Sequence, residues 1–468
     1  MWRFSEYGEK TAAVDDAGNR ITYKELEHMV SGFAGICGRT LVFHLCSNTI
    51  GSLAGYAAML QAGVVPVMLA EDIDRELLDR LIHVYQPEYV WVSRHKRADF
   101  SDLAEVFSRY GYVLLKSDGA SKEDLHDELA LLLTTSGSTG SPKLVRQSYQ
   151  NLKANTESIV QYLELEAGER PITTLPMNYT YGLSIINTHL YVGASMLLTD
   201  KAIMSRGFWE FLHKERATSF GGVPYTYEML KKLRFFHMDI PSIRTMTQAG
   251  GKLTPELHRE FAQFAQETNR KFVVMYGQTE ATARMAYLPS EQALSKYGSM
   301  GIAIPGGRFE LFDAKGNVIQ DADTVGELVY YGENVTLGYA QTRSDLKLGD
   351  ERGGMLVTGD MAKRDEDGYY YIVGRKKRFL KMYGKRVNLD EIERMLKDKY
   401  ADADCACAGT DDHMYLFLDD PGILEEARDY IAQKTHIHIT AVYAVYLKEI
   451  PKNNAGKTLY AHLQDYYE

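Results

Sequence analysis

Short apolar runs alternating with amphipathic stretches constrain this chain more than any other feature. Residues 40–45, 64–69, 89–92, 113–115, 129–134, 196–198, 219–223 and 272–275 each read as a buried strand. Each run is brief, apolar and bounded by turn-forming residues. Between them, stretches such as 23–33 and 73–84 carry apolar residues at helical spacing. Strands and helices in alternation predict an α/β protein with helices packed on sheets. A chain of 468 residues also exceeds the roughly 250–300 at which single cores stop growing, so more than one domain is expected.

The pattern changes after Gly301. Residues 308–373 are rich in Gly and Tyr, with short strands and tight turns such as Asp367-Gly368, which predicts a small β subdomain. A basic cluster follows, Arg375-Lys376-Lys377-Arg378, then Lys381, Lys385 and Arg386. Beyond it come a helix over 389–399 and strands over 414–418 and 441–447. The expected architecture is α/β: a large N-terminal domain, 1–374, of α/β subdomains plus the small β subdomain, and a small mobile α+β C-terminal domain, 375–468.

Charge and composition exclude some functions. Lys and Arg total 53 against 63 Asp and Glu, a formal balance of −10, which argues against a general nucleic-acid binder. The longest apolar stretch, 53–70, is interrupted by Gly55, Gln61, Gly63 and Pro66. It reads as a buried helix ending near Gly63 followed by a strand, not as a membrane span. The polar, acidic start of the chain is no secretory signal. Cys37, Cys46, Cys405 and Cys407 form no C-x-x-C pair, and Cys405-Ala-Cys407 lacks common zinc spacing, so buried reduced thiols in a cytoplasmic protein are expected.

Five segments carry chemistry. The first is LLLTTSGSTGSPK over residues 131–143, an apolar strand running into a loop of glycines and hydroxyls closed by Lys143. Glycines let backbone amides approach an anion, and Ser136, Ser138 and Thr139 add donors. No Gly-Lys-Ser/Thr follows, so this is not a Walker loop. The second is FVVMYGQTE over 272–280, where Tyr276 offers a ring face, Thr279 a hydroxyl and Glu280 a carboxylate for Mg²⁺. The third is Gly359-Asp360, an acidic residue after a strand that suits two ribose hydroxyls. The fourth is Gly374-Arg375 with Lys381 and Gly384-Lys385-Arg386-Val387 behind it, and the fifth is PKNNAGK, which presents Lys457 near the chain end. Taken singly, a turn Asp, a solvated basic face or a surface Lys explains each of the last three.

Together, in this order, the segments resemble the adenylate-forming superfamily of acyl- and aryl-CoA synthetases, peptide-synthetase adenylation domains and luciferase. The resemblance covers nearly the whole chain. Asn48, the unit through Ala62-Gly63, and GELVYYGENVTLGY over 326–339 also match the family pattern. The resemblance implies that Thr135, Ser136, Gly137, Ser138, Thr139, Gly140 and Lys143 hold the β- and γ-phosphates of ATP, and that Gly250 and Gly251 line the adenine. It implies that Tyr276 stacks on the base, Thr279 meets the α-phosphate, Glu280 binds Mg²⁺, and Asp360 takes the ribose with Arg375 beside it. Lys457 bridges the substrate carboxylate and the α-phosphate. Lys377 sits at the family's hinge, about which the small domain rotates to bring the segment from Lys381 to Gly384 to the site for thiol transfer. Two departures stand out: Leu144 where the family usually has Gly, and Tyr149 in place of a frequent His.

LPMNYTYGLS over 175–184 aligns with the family's acyl-pocket segment. Amino-acid-activating relatives carry an Asp where this chain has Thr180, and a buried ammonium without a carboxylate costs several kcal/mol. An aryl or aliphatic acid is therefore expected. Tyr179 and Tyr181 either wall that acid or simply pack, while Gly221, Gly222 and Gly277 line the pocket, the first two leaving depth. The acceptor thiol is coenzyme A or the phosphopantetheine of an acyl carrier protein. The basic cluster at 375–386 suits phosphates, an acidic carrier helix or solvent. An amino-acid ligase serving a carrier and an inactive nucleotide-binding relative are the alternatives; the intact Glu280, Asp360, Arg375 and Lys457 argue against the latter.

Overall fold

The computed structural model describes residues 2–117, 121, 123–134, 143–382, 385–435, 437–452 and 457–467, with Lys377, Phe379, Lys381, Lys385 and Arg386 described by their backbones alone. Contacts divide the chain into two units, Met1–Phe309 with Tyr330–Leu356, and Glu310–Val329 with Val357–Glu468.

The first unit is built on two mixed sheets. One runs Ile302–Ala303, Ala286–Tyr287, Lys271–Tyr276, Thr245–Gln248, Ser219–Gly222, Pro171–Ile172, Met196–Leu198, Thr11–Asp15, Arg20–Thr22. Its centre is parallel, from Lys271–Tyr276 to Thr11–Asp15. The other sheet has Leu41–Cys46, Val65–Ala70, Tyr89–Ser93 and Leu129–Thr134 as its parallel core, with antiparallel strands at both margins. The parallel strands read as continuous apolar runs because helices cover both faces.

Helix Ile50–Gln61 is buried along nearly its whole length, which is why its sequence is apolar all round rather than amphipathic. It packs in a core with Trp91, Leu133 and Met196 from the two sheets and Leu183 from helix Thr180–Tyr191. Asn48 is buried just ahead of that helix and donates to the carbonyls of Leu175 and Thr199 at 3.3 and 3.2 Å. It thereby pins the end of one sheet to the other. Leu144, the departure from the family's Gly, opens strand Leu144–Ser148 with its side chain fully buried. Tyr149 begins helix Tyr149–Leu163, capped by a reciprocal pair of bonds between Ser148 and Asn151.

The second unit holds most of a sheet ordered Arg308–Phe312, Gly326–Tyr331, Met355–Arg364, Tyr370–Arg375, the expected β subdomain. Its Asp365–Gly368 turn closes through Gly368, at φ 87°. Farther on, the hairpin Phe379–Met382/Lys385–Asn388 and the sheet Cys405–Thr410, His413–Leu418, Val442–Tyr446 share a core with helices Leu389–Lys399 and Leu424–Thr435. All four cysteines are free and buried. Among the described residues no helix is long and apolar enough to cross a membrane.

Candidate active site

In open parallel sheets, ligands bind beyond the carboxyl ends of the strands, and Gly221, Gly222, Gly250, Gly251, Tyr276 and Gly277 lie at or just past such ends. Strand Lys271–Tyr276 ends in Gly277, where a Cβ would sit 1.7 Å from the carbonyl oxygen of Ala283. Only glycine lets the chain double back so tightly. The Met285 amide then donates to the Tyr276 carbonyl at 2.8 Å, and Tyr276 pairs with Ala286. Tyr276, Thr279 and Glu280 are thus carried on a turn closed at both ends.

The Glu280 region is braced from downstream. The Thr336 amide and hydroxyl both donate to the Glu280 carbonyl, at 3.0 and 2.9 Å, and Arg352 donates to the same oxygen at 2.9 Å. The Tyr339 hydroxyl donates to the Glu280 carboxylate at 2.7 Å. Burial first, and then the Glu280 charge, push the Tyr339 phenol up to about 12, so it remains a donor at neutral pH. Two cations meet the Tyr339 ring: the Lys143 ammonium 3.2 Å from its centroid and the Arg352 guanidinium carbon at 4.7 Å. Lys143, Glu280, Tyr339 and Arg352 therefore form one charged cluster. Among the described residues no group of three or more His, Cys, Asp or Glu gathers to hold a metal. A single half-buried carboxylate suits Mg²⁺, which is commonly held by one or two carboxylates plus substrate phosphates, rather than zinc.

Residues 175–184, expected to border the acid, meet the same sheet edge through Tyr179 and Thr180. Gly250 has φ 85°, and a Cβ there would meet the Tyr179 hydroxyl at 2.6 Å; one on Gly251 would meet Pro224 at 2.9 Å. Burial pushes the Tyr179 phenol up to about 12. The Thr180 hydroxyl donates to the Thr282 carbonyl, joining helix Thr180–Tyr191 to the turn after Glu280. At Gly221 and Gly222 neighbouring side chains stand where a Cβ would be. The Tyr181 hydroxyl lies 2.8 Å from where a Gly221 Cβ would stand, held there by a 2.7 Å bond with Thr247, and Thr226 and Tyr227 close in on Gly222 at 2.9 Å.

Arg284, which the sequence reading did not single out, is 2 % exposed. Its Nη1 donates to the Tyr162 hydroxyl and the Met275 Sδ, both at 3.2 Å, and its guanidinium carbon lies 5.1 Å from the Tyr181 ring centroid. Its Nε is buried without a hydrogen-bond partner.

In the second unit, Asp360 and Arg375 face each other across strands Met355–Arg364 and Tyr370–Arg375. Arg375 Nε stands 3.7 Å from the Asp360 carboxylate, with Asp360 buried and Arg375 largely exposed. Gly359, at φ 73°, sets the bend that precedes Asp360. Lys457 is half-buried on a loop closed by the Lys452–Thr458 bridge and by the Leu459 amide donating to the Pro451 carbonyl at 2.8 Å. Lys377 lies in the turn Lys376–Arg378, and Lys381 in strand Phe379–Met382. Thr135, Ser136, Gly137, Ser138, Thr139, Gly140 and Gly384 lie outside the described residues.

These residues gather at the carboxyl edge of a parallel sheet on an α/β scaffold. The family model described as AMP-binding enzyme matches residues 2–340, and the chain belongs to that family. Among curated relatives, it is 28% identical over 295 residues to a long-chain-fatty-acid–CoA ligase of Bacillus subtilis, covering 62% of this chain and 52% of that protein. It is 25% identical over 483 residues to a 2-succinylbenzoate–CoA ligase of Bacillus cereus, covering 97% and 96%. The chain spans little more than half the length of the first curated relatives it matches. In fold it is similar to o-succinylbenzoate CoA synthetase of Bacillus subtilis in complex with its acyl-adenylate intermediate, with TM-score 0.79, 20% identity and coverage of 98% and 96% of the two chains.

Proposed function

We propose that this chain activates a carboxylic acid with ATP, forming an acyl-adenylate and pyrophosphate, and then transfers the acyl group to the thiol of coenzyme A. The observation that carries this reading is the Glu280 turn, braced by Tyr339 and Arg352, with Lys143 on the same ring. Family membership and CoA-ligase relatives support it.

In the first step a carboxylate oxygen attacks the α-phosphorus, and the bond to the bridging oxygen of pyrophosphate breaks. Two anions must approach, so the cations around them decide the rate. Lys143, with Thr135 to Gly140, holds the outer phosphates, Gly250 and Gly251 border the adenine, Tyr276 stacks on it, and Thr279 donates to the α-phosphate. Asp360 takes the ribose hydroxyls, with Arg375 alongside. Glu280 would hold Mg²⁺, which when bound supplies charge neutralisation on the phosphates. Lys457 spans the substrate carboxylate and the α-phosphate. In the second step the thiol sulfur attacks the acyl carbon, losing its proton to solvent, and AMP leaves. Residues 375–468 would turn about Lys377 between the steps, exchanging Lys457 for the strand that bears Lys381.

Tyr179, Thr180, Tyr181, Gly221, Gly222 and Gly277 border the acid, which is aryl or aliphatic. A standard α-amino acid is disfavoured because Thr180 offers no carboxylate and Arg284 would repel an ammonium. A carrier protein's phosphopantetheine is the second acceptor, since it presents the same reactive end. The buried thiols agree with a cytoplasmic location.

Acid-dependent exchange of labelled pyrophosphate into ATP, over aryl, aliphatic and amino acids, tests the first step; coenzyme A and carrier proteins then test the second. Exchange with an aryl or aliphatic acid is expected. Exchange with amino acids alone would favour the carrier-serving ligase, and ATP binding without exchange an inactive relative. Lys457→Ala should slow exchange about 10²–10³-fold, the usual loss for one such donor. Near-normal exchange in that variant would remove Lys457 from the mechanism.

A further inference from the structure

We propose that the acid activated here carries a second anionic group, and that Arg284 receives it. This rests on the acid-activating reading above. Burying a guanidinium without a counter-charge costs several kcal/mol in the folded protein, roughly. The other buried arginines among the described residues do not carry that cost. Arg146 is fully buried and pairs with Glu351; Arg343 pairs with Glu88 at 2.7 Å; Arg378 pairs with Asp390 at 2.7 Å and Glu393 at 2.6 Å. Arg284 is as deeply buried as these, yet among the described residues no carboxylate lies within 4.0 Å of it. Its neighbours are a phenol, a thioether and an aromatic face, and its Nε has no acceptor.

Its place in the fold gives the vacancy a use. Arg284 hangs from the turn that carries Tyr276, Thr279 and Glu280, with its Cα 2.9 Å from where a Gly277 side chain would begin. Its guanidinium reaches into the apolar cluster of Leu175, Val223 and Met275 that also holds Tyr179 and Tyr181. A planar anion such as a carboxylate or sulfonate matches the guanidinium fork, and low polarity strengthens that pair. The far end of a doubly anionic acid would supply the charge the fold leaves out, while its near carboxylate is adenylated.

The test is pyrophosphate exchange by the full chain with matched pairs: dicarboxylic or sulfo-carboxylic acids, aliphatic and aryl, each against the half-amide of the same skeleton. The expected result is a preference for the doubly anionic member of about 10²-fold in kcat/KM. That is below the roughly 10⁴–10⁵ by which a site built for a polar group rejects its complete absence, because the half-amide loses the charge but keeps its hydrogen-bonding atoms. In Arg284→Met that ratio should fall towards unity, and Arg284→Lys should restore part of it; the ratio is the readout because loss of packing alone would lower both members together. Equal or better use of the half-amides by the wild-type chain overturns the inference and leaves acid activation standing. A preference that survives in Arg284→Met assigns recognition elsewhere and overturns it too. No exchange with any acid overturns the activating reading and this inference with it.

Discussion

Arg284 in the first unit and Arg378 in the second are both buried, yet their surroundings could hardly differ more. Arg378 is wrapped in acceptors: Asp390, Glu393, the Cys407 carbonyl at 2.5 Å, and the Tyr460 ring 3.8 Å from its guanidinium carbon. Burial lowers its proton affinity, but Glu393, Tyr460 and Asp390 outweigh that and raise it overall. Arg284 has only neutral company. In one place the fold satisfies its buried cation completely, and in the other it holds a cation ready for something else. A fully paired cation anchors structure; an unpaired one beside a candidate pocket points to a ligand.

The largest expected difference between the two units appears in acid. Burial pushes His44 down to about 3 and His189 and His258 down to about 4, all in the first unit. Each ring has one nitrogen buried without a partner, so protonating it inside the fold gains little. The unfolded chain takes up these protons below about pH 6.5, while the folded one does so only near pH 4. Their contribution is therefore complete above pH 6.5 and is lost as pH falls towards 4, on the order of 1–2 kcal/mol per histidine by pH 5. In the second unit His413, His438 and His462 are exposed. Hydrogen exchange between pH 7.5 and 5 should show protection falling first in Leu41–Cys46 and Thr180–Tyr191, and later in His413–Leu418. The reverse order would break the contrast.

Next in size is Arg378→Met. Removing it takes the counter-charge from Glu393, 12% exposed, which keeps only the Cys407 amide and the Tyr460 hydroxyl, and leaves Asp390 to the Arg375 amide alone. Breaking a buried pair on one side costs about 3–5 kcal/mol. The expected outcome is a lower urea midpoint for helix Leu389–Lys399, with the first unit barely changed. A loss under about 1 kcal/mol would mean that water already serves these carboxylates.

The sequence discloses such differences unevenly. Strands Leu129–Thr134 and Lys271–Tyr276 are legible because a buried parallel strand must be apolar throughout and then break at a turn. Ala104–Arg109 is not, since most of its residues are exposed and no face of it needs a pattern. Pro171–Ile172 is too short to show one. Glu280 is legible from the segment around it. Tyr339 and Arg352 are far along the chain and become part of the site only by reaching Glu280 in space. Tyr339 had a signal, the Gly-Tyr that closes the segment 326–339; Arg352 had none. Arg284 reads as an ordinary arginine, because nothing in its neighbours along the chain tells that its head is buried and that no carboxylate comes to meet it.

The smallest effect on stability should come from Arg284→Met. A paired cation is costly to lose because its partners stay behind, charged and buried. Arg284 leaves behind only the Tyr162 hydroxyl and the Met275 sulfur, and a methionine side chain can occupy the same channel beside Tyr181 without its desolvation cost. The unfolding free energy from urea titration at pH 7.5 should therefore stay within about 1 kcal/mol of the parent, on either side. Arg284 also depresses His189, after burial has done most of that work, so the variant should lose slightly less stability between pH 6.5 and 5. A loss of 3 kcal/mol or more, roughly the cost found for paired cations, would show that Arg284 is held by the fold as firmly as Arg378, and the two regions would then differ in appearance but not in purpose.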